Sequence, residues 1–305
     1  MKVSVLIGSR NRPHVLRRCL DSIMRQTYDD MEVIVLDDAS DDIHAYSAVV
    51  RAYSGVRLIR SEFPCGVAKG RNRLVAKALG DVLCFIDDDA YFETSTAISW
   101  LVDVFARDTR VGIVACKIVD HQGGVTDALV PIPRFARWKN PRLIEEPRYV
   151  AYYLGGCHVI LREVFERCGR YCDALVFGEE ELDLSYRAIS VGYRIYYEPR
   201  VVVHHEPEPS VLAPNSGHHG RDAELYYHIR NRFYLAFRYL PVIYIPSYLF
   251  LWTGKYALDA VKLGRVAPVV KGIMDGIKTL KGLKREVLPP HAVDYMRRNF
   301  GRLWY

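Results

Sequence analysis

The fold is decided by the stretch Val82-Leu83-Cys84-Phe85-Ile86-Asp87-Asp88-Asp89, in which five apolar residues run into three aspartates. A short apolar run of this kind predicts a strand buried on both faces, as in a parallel sheet. Such sheets bind ligands beyond the carboxyl ends of their strands. On an extended backbone Asp87 and Asp89 point the same way, so the stretch also predicts an oxygen-ligand site for Mn²⁺ or Mg²⁺. The competing interpretation is a solvated turn in which an Asp caps a helix.

Four more apolar runs lie in the first 120 residues and predict strands: Val3–Ile7, Glu32–Leu36, Val56–Ile59 and Val111–Ala115. Helical periodicity separates these runs. One helix is expected to open at Pro13, a second to cover Val67–Leu79 and end at Gly80, and a third to be capped by Thr94 or Ser95. This order predicts an α/β fold with a mostly parallel sheet flanked by helices.

The chain changes character in its second half. Four prolines between residues 123 and 147 predict a long surface connection. Beyond it the pattern predicts two helices and two strands: Leu161–Cys168, Glu180–Val191, Tyr193–Tyr197 and Val201–Val203. After about Asp222 the sequence is helical and aromatic, then helical and basic.

The composition is that of a globular protein, with 50% hydrophobic and 26% charged residues among 305. Seven cysteines without a CxxC pair indicate buried thiols in a reducing compartment. Met1-Lys2 leads directly into a strand, and no apolar run reaches the roughly 20 residues of a spanning helix, so we expect a cytoplasmic protein. Nucleic-acid binding would explain the basic end of the chain but none of its acidic clusters, so we do not expect it.

Two motifs near the first strands suit a charged ligand. Asp37-Asp38 follows the second strand, where a carboxylate can accept from a nucleobase N–H or a ribose hydroxyl. An Asx turn would use the same residues. The segment Gly66–Asn72 brings Lys69 and Arg71 into the start of a helix, which suits phosphate. A flexible connection with surface cations is the alternative.

Two later motifs carry acids and imidazoles. Four carboxylates lie within five residues from Glu179 to Asp183, at the start of a helix. Acids there complement the helix dipole, but four exceed what capping needs, and one could deprotonate an acceptor hydroxyl. His204-His205 ends a strand, where a neutral imidazole could complete a metal site. A surface histidine pair is the alternative.

Together these motifs resemble, in order and spacing, family 2 glycosyltransferases with the GT-A fold, over about residues 2–205. The matching pieces are Val3–Ile7 with Arg10-Asn11-Arg12, Ser22–Tyr28, Glu32–Ser40, Gly66–Asn72, Gly80–Asp89, Gly155-Gly156, Gly178–Arg187 and Ala188–His204. The resemblance implies a Rossmann-like sheet and an inverting, Mn²⁺- or Mg²⁺-dependent transfer of a sugar from a nucleotide-sugar. UDP is the favoured nucleotide, with dTDP and GDP as alternatives.

The resemblance also implies roles for individual residues. Asp38 matches the base-recognising Asp, Arg71 the donor-binding Arg, and Asp87 and Asp89 the outer positions of the D-x-D motif. Donor contacts are expected from Gly8, Arg10, Asp38, Arg71, Asp87 and Asp88. The metal is expected on Asp89, Asp87 and His204. The catalytic base is expected among Glu181, Glu180 and Asp183, which stay unranked because the matching position holds Glu where Asp is common.

The resemblance divides the chain into a GT-A catalytic domain at 1–220 and a helical, basic C-terminal extension at 221–305. Nucleotide-sugar binding falls in about 1–120, and the acceptor and base region in about 150–205. Tyr226–Arg232 resembles the tail of bacterial and archaeal members that act on lipid-linked or cell-surface glycans, which implies a glycan or polyprenyl-linked acceptor. The aromatic and basic segment 233–285 suits the inner face of an anionic membrane. Packing on the catalytic domain or in a homodimer is the alternative.

Two other functions remain open at this stage. A nucleotidyltransferase on a similar sheet would need a glycine-rich, Lys-bearing loop after the first strand, where the chain has Gly8-Ser9-Arg10-Asn11-Arg12-Pro13. A non-catalytic nucleotide-sugar-binding or scaffold protein would have lost its base, against which the acids from Glu179 to Asp183 argue.

Overall fold

The computed structural model describes residues 1–120, 122–126, 129–207 and 220–304. Its strands are β1 (Val3–Ser9), β2 (Met31–Asp37), β3 (Val56–Arg60), β4 (Val82–Ile86), β5 (Ala90–Phe92), β6 (Val111–Val119), β7 (Arg148–Val150), β8 (Cys157–Leu161) and β9 (Arg194–His205). Its helices are α1 (Pro13–Met24), α2 (Ile43–Arg51), α3 (Gly66–Val75), α4 (Ala97–Arg107), α5 (Arg134–Lys139), α6 (Arg162–Arg167), α7 (Glu180–Ser190), α8 (Arg221–Tyr239), α9 (Ile245–Leu263), α10 (Val266–Thr279) and α11 (Pro290–Arg298).

The strands form one sheet in the order β3-β2-β1-β4-β8-β6-β9-β5, with β7 paired to β9. Strands β1 to β4, β6 and β9 run the same way, and β5, β7 and β8 run against them. The predicted α/β fold with a mostly parallel sheet is therefore confirmed. Alternate residues of the central strands enter two separate cores, one on each face, which is why these strands are apolar throughout.

Several local predictions are wrong. The helix α3 ends at Val75 rather than Leu79, and Gly80 packs on β1, where its N–H donates to Ser4 Oγ. The cap of α4 is Thr96 instead of Thr94 or Ser95. The connection 123–147 is partly internal, since Val130 and Ile132 are fully buried and α5 lies within it.

The two strands predicted at Tyr193–Tyr197 and Val201–Val203 form one strand, β9. Its pairing with β6 shifts register between Glu198 and Val202. A bulge of this kind accommodates Pro199, which cannot donate to the ladder. Strands β5, β7 and β8 were not predicted, because two of them have three residues and β8 follows a glycine pair.

The C-terminal helices share the core of the sheet. Leu235 and Tyr239 of α8 and Met296 of α11 belong to the same apolar cluster as β1 and β4. A smaller cluster joins α8 to α9 and α10 through Ile229, Tyr256 and other buried side chains. The division at residue 220 stays a prediction, and residues 208–219 beside it lie outside the described residues. Among the helices described, none combines the length and hydropathy that a membrane crossing requires.

Helices α8 and α10 touch at a glycine. A Cβ on Gly272 would lie 2.3 Å from Ile229 Cγ2 and 2.7 Å from the Tyr226 carbonyl oxygen. Because that carbonyl cannot move aside, Gly272→Ala should lower the free energy of unfolding by about 1–3 kcal/mol in urea denaturation. Gly254→Ala in α9 is the control. Gly254 is exposed, and a Cβ there would meet no described atom within 4 Å beyond the backbone of its own helix and its chain neighbours, so the substitution should raise the free energy of unfolding by about 0.5–1 kcal/mol. Equal effects of the two substitutions would contradict this packing.

Candidate active site

The carboxyl ends of the parallel strands open into a cleft of about 690 Å³. All six residues predicted to contact a donor line it: Gly8, Arg10, Asp38, Arg71, Asp87 and Asp88. They come from the ends of β1, β2 and β4 and from α3, because parallel strands deliver their C-termini to the same edge of the sheet. The residues predicted to contact a donor therefore share one cavity.

Three side chains in the cleft form a cluster that could hold a metal ion. One ligand atom each of Asp87, Asp89 and His205 lies within 4.8 Å of the others. His205 Nε2 is 3.1 Å from Asp89 Oδ1 and 3.8 Å from Asp87 Oδ2. Asp89 Oδ1 is buried and lies against the imidazole of His205, the third prospective ligand. Two carboxylates and an imidazole are ligands that fit a divalent ion such as Mn²⁺.

The histidine in this cluster is His205, whereas His204 was predicted. His204 faces the other side of β9, where its ring stacks on Tyr91 at 4.8 Å and its Nε2 lies 2.9 Å from Glu93 Oε2. Neighbouring residues of a strand point to opposite faces, so one of the pair had to point away. Burial would lower the pKa of His205, but the hydrogen bond and charge of Asp89 outweigh it and raise the pKa.

Asp88 points behind the cluster. Its carboxylate accepts from Ser9 Oγ at 2.5 Å and is paired with Arg12, which also reaches Asp89 Oδ2 at 2.9 Å. Burial raises the pKa of Asp88 to about 7 in spite of the Arg12 charge. Arg12 therefore ties two of the three aspartates together. It was not among the predicted site residues, although it stands in the matched Arg10-Asn11-Arg12 segment.

Asp38 is held at the start of α3. Its two oxygens accept from the backbone N–H of Cys65 at 3.0 and 3.1 Å, from that of Gly66 at 3.2 Å and from the Cys65 thiol at 2.9 Å. A carboxylate in this place both caps the helix and faces the cleft. Recognition of a nucleobase by Asp38 stays a prediction.

Arg71 connects the two acidic motifs. Its Nη1 lies 2.6 Å from Glu181 Oε1 and 3.3 Å from Glu180 Oε1, and its Nη2 lies 3.5 Å from Asp87 Oδ1. Nη2 also donates to the carbonyl of Gly155 at 3.2 Å. A Cβ at Gly155 would lie 2.7 Å from Glu181 Oε1, so only glycine lets Glu181 and Arg71 meet there.

The three candidate bases differ in their surroundings. Asp183 is buried, paired with Arg187 and bonded by the Tyr239 hydroxyl at 2.7 Å. Glu180 is also buried, and desolvation and the Glu181 charge raise its pKa to about 8. The Glu181 side chain is 14% exposed, against 3% for Glu180. Neither glutamate lines the cleft itself, and both reach it through Arg71.

Helix α8 holds the loop that starts α7. Asn231 Nδ2 donates to the carbonyls of Leu175 and Phe177 at 3.0 Å and of Gly178 at 2.7 Å. Glu179, at a left-handed φ of 71°, lies 2.8 Å from both Arg232 Nη2 and His228 Nδ1.

Charge strengthens the contacts of Glu179 with Arg232 and His228. Burial alone would raise the pKa of Glu179, but the Arg232 charge and the His228 contact lower it to about 2. Sequence reasoning missed these contacts, although it singled out Tyr226–Arg232 as a matching segment.

Several known proteins are similar to this chain. A family model described as glycosyl transferase family 2 matches residues 4–169. The O-antigen biosynthesis protein RfbC of Myxococcus xanthus is 26% identical over 224 residues, which cover 67% of this chain and 17% of that protein. The amylovoran biosynthesis glycosyltransferase AmsB of Erwinia amylovora is 26% identical over 205 residues, covering 63% of this chain and 65% of AmsB.

A third relative matches a shorter stretch. It is the Escherichia coli UDP-Glc:alpha-D-GlcNAc-diphosphoundecaprenol beta-1,3-glucosyltransferase WfgD, 31% identical over 87 residues, which cover 28% of this chain and 34% of WfgD. The chain thus spans less than two thirds of the length of each of these three proteins.

Solved structures confirm the predicted GT-A fold. GalNAc-T7 with UDP, GalNAc and Mn²⁺ superposes with a TM-score of 0.64 at 18% identity, covering 93% of this chain and 55% of that one. The mannosyltransferase PcManGT of Pyrobaculum calidifontis with GDP-Man and Mn²⁺ gives a TM-score of 0.59 at 18% identity, covering 98% and 84%. Both neighbours contain Mn²⁺.

The two adjacent histidines allow a matched test of the metal cluster. His205→Ala should weaken Mn²⁺ binding roughly tenfold or more, because one ligand is lost, equivalent to about 1.4 kcal/mol. His204→Ala should leave the affinity within about twofold. Electron paramagnetic resonance of free Mn²⁺ during titration measures both. A loss on His204→Ala with none on His205→Ala would show that the histidine is assigned wrongly.

The contacts of Glu179 with Arg232 and His228 predict that the stability of the fold depends on pH. A carboxyl whose folded pKa is about 2, below its ordinary 4.5, stabilises the fold above pH ~4.5 and loses that contribution as pH falls toward ~2. The free energy of unfolding of the wild type should therefore fall by about 3 kcal/mol more over this range than that of Glu179→Gln/Arg232→Met. Denaturant melts at several pH values measure it, and parallel pH profiles would contradict the role of Glu179.

Proposed function

The chain belongs to glycosyl transferase family 2, and from that premise we propose that it is an inverting, metal-dependent glycosyltransferase acting on a lipid-linked or other glycan acceptor. The observation that carries the proposal is the position of Arg71. It joins Asp87, in the carboxylate motif after β4, to Glu181 at the start of α7. An inverting transfer needs a leaving group and a base on opposite sides of one carbon, and these two motifs supply the two sides.

On the donor side, the nucleotide would lie in the cleft with its diphosphate toward Asp87, Asp89 and His205. A divalent cation bound there would withdraw charge from the departing diphosphate. Arg71 faces the same place and would bind the diphosphate oxygens, since a guanidinium pairs with phosphate through two N–H groups. Asp38, which lines the same cleft, would accept a hydrogen bond from the nucleobase or ribose.

On the acceptor side, Glu181 is the proposed base. It would take the proton from the acceptor hydroxyl while that oxygen bonds to the anomeric carbon and the bond from that carbon to the diphosphate oxygen breaks. Glu180 is disfavoured because its pKa of about 8 keeps the proton on at neutral pH. Asp183 is disfavoured because Arg187 and Tyr239 occupy its oxygens.

The finer substrate assignments are supported to different degrees. The relative WfgD carries a diphosphoundecaprenol-linked acceptor in its name, which supports a polyprenyl-linked acceptor here. A location on the inner face of the membrane stays a prediction. The two solved neighbours contain different nucleotides, UDP and GDP-Man. UDP therefore remains the favoured donor nucleotide on the sequence resemblance, and a homodimer stays a prediction.

Removing the base tests the function. With a donor first identified by thermal shift among UDP-, dTDP- and GDP-sugars with Mn²⁺, Glu181→Gln should lower transfer roughly 10²- to 10⁴-fold, because the acceptor proton has no place to go. Donor affinity, measured by calorimetry, should change little.

Glu166→Gln, an exposed acid of α6, is the matched control and should keep full activity. Full turnover by Glu181→Gln would refute the assignment of the base. Donor binding by the wild type without turnover on any acceptor would instead favour a non-catalytic nucleotide-sugar-binding protein.

A further inference from the structure

Helices α9 and α10 carry apolar residues on the side that faces solvent. On α9 the exposed fractions are 79% for Phe250, 63% for Leu258 and 67% for Val261. On α10 they are 49% for Val266 and Val270, 55% for Met274 and 54% for Ile277. An ordinary surface helix places polar side chains there. Exposed apolar side chains that cluster on a protein surface mark a site of interaction.

Both helices repeat the same spacing. Among the exposed positions, 250, 254, 258 and 261 on α9 and 266, 270, 274 and 277 on α10 each follow i, i+4, i+8, i+11 along one side of the helix. The opposite sides are already used. Tyr256 and Ala260 of α9 and Val269 of α10 are buried in the cluster with α8. The exposed stripes are therefore additional to the residues that hold the helices in place.

Lysines border the stripes. Lys255, Lys262, Lys271 and Lys278 each directly follow a stripe position and are exposed. Asp259 pairs with Lys255, and Asp275 pairs with Lys271 and Lys278. From 242 to 285 the chain holds eight Lys or Arg against these two acids, a surplus equal to the net charge of +6 of the whole chain.

This charge selects the partner. We propose that α9 and α10 dock on an anionic lipid surface, with the apolar stripes entering the boundary between headgroups and acyl chains and the lysines facing the headgroups. Apolar residues beside lysines are the pattern of helices that lie in that interface, and each cation near an anionic surface adds to binding. A second copy of the chain would bring the same positive surplus against itself and is electrostatically disfavoured.

Helix α9 also borders a cavity next to the proposed active site. A second cavity of about 380 Å³ lies between α8 and α9 and is lined by Lys255, Lys262 and Arg221 on its basic side. Glu224 lines both this cavity and the donor cleft. Docking through α9 would hold the chain at a lipid surface, where a lipid-linked acceptor resides. This last step rests on the proposed function, whereas the docking itself does not.

Co-sedimentation of the full chain with vesicles tests the proposal. The wild type should bind vesicles made of phosphatidylcholine and phosphatidylglycerol. Its affinity for vesicles of phosphatidylcholine alone should be roughly tenfold lower. Phe250→Ser/Leu258→Ser should reduce binding to the anionic vesicles roughly tenfold or more, since two apolar side chains no longer enter the interface. Lys271→Gln/Lys278→Gln should also weaken binding, and by a factor that shrinks as salt is raised.

Leu79→Ser is the matched control. Leu79 is 69% exposed, close to the 63% of Leu258, but lies before β4 at the opposite end of the sheet from the cleft. It should bind vesicles like the wild type. Circular dichroism melts of all variants should agree, because the substituted side chains are exposed.

Three outcomes would overturn the proposal. One is a wild type that stays in the supernatant with both vesicle types, and another is equal binding by Phe250→Ser/Leu258→Ser. The third is a wild type that does not bind vesicles but forms a dimer in sedimentation velocity, when Phe250→Ser/Leu258→Ser dissociates that dimer. Glu181→Gln should bind vesicles normally, so loss of transfer with retained docking would concern the proposed function alone.

Discussion

Five carboxylates converge at one end of the sheet, and their mutual repulsion is the constraint on which the site depends. They belong to Asp87-Asp88-Asp89 and Glu180-Glu181, and among the described residues Arg12, Arg71 and His205 are the basic side chains that contact them. Taking an ion out of water costs several kcal/mol unless it is paired. Pairing is incomplete here, since burial raises the pKa of Asp88 to about 7 and of Glu180 to about 8. A bound cation would relieve the excess of negative charge.

The same constraint explains why the C-terminal helices pack where they do. Glu179 continues the acidic run but turns away from it through its left-handed backbone, and Arg232 and His228 of α8 neutralise it. Arg232 is itself buried beneath Trp252, 3.7 Å from the ring centroid. The acids of α7 are thereby supported from two directions, by Arg71 on the cleft side and by α8 behind. The extension is therefore part of the electrostatic balance of the site rather than an independent appendage.

The sequence predicted where the candidate site lies better than it predicted which residues form it. Apolar runs such as Val82–Ile86 identify strands buried on both faces, and the rule that ligands bind at carboxyl ends then locates the cleft. The face of β9 on which His204 lies could not be predicted in this way. Alternation along β9 is interrupted by the bulge around Pro199, so counting from the start of the strand gives the wrong face. Arg12 is 76 positions from Asp88 in the sequence, and Arg232 is 53 positions from Glu179. Local periodicity carries no information about pairs that are so far apart.

The C-terminal helices also have to satisfy two requirements with different faces. The inner side of α8 supplies Asn231 and Arg232 to the acidic loop, and the close approach at Gly272 keeps α10 against that helix. The outer sides of α9 and α10 make no such contacts with the residues that the structure describes, and they are apolar with a basic border. Because neither set of residues overlaps the other, the extension can hold the proposed base in place while exposing a separate surface. Substitutions on the outer side are therefore the ones whose effects report on docking, since they leave the charge balance of the site untouched.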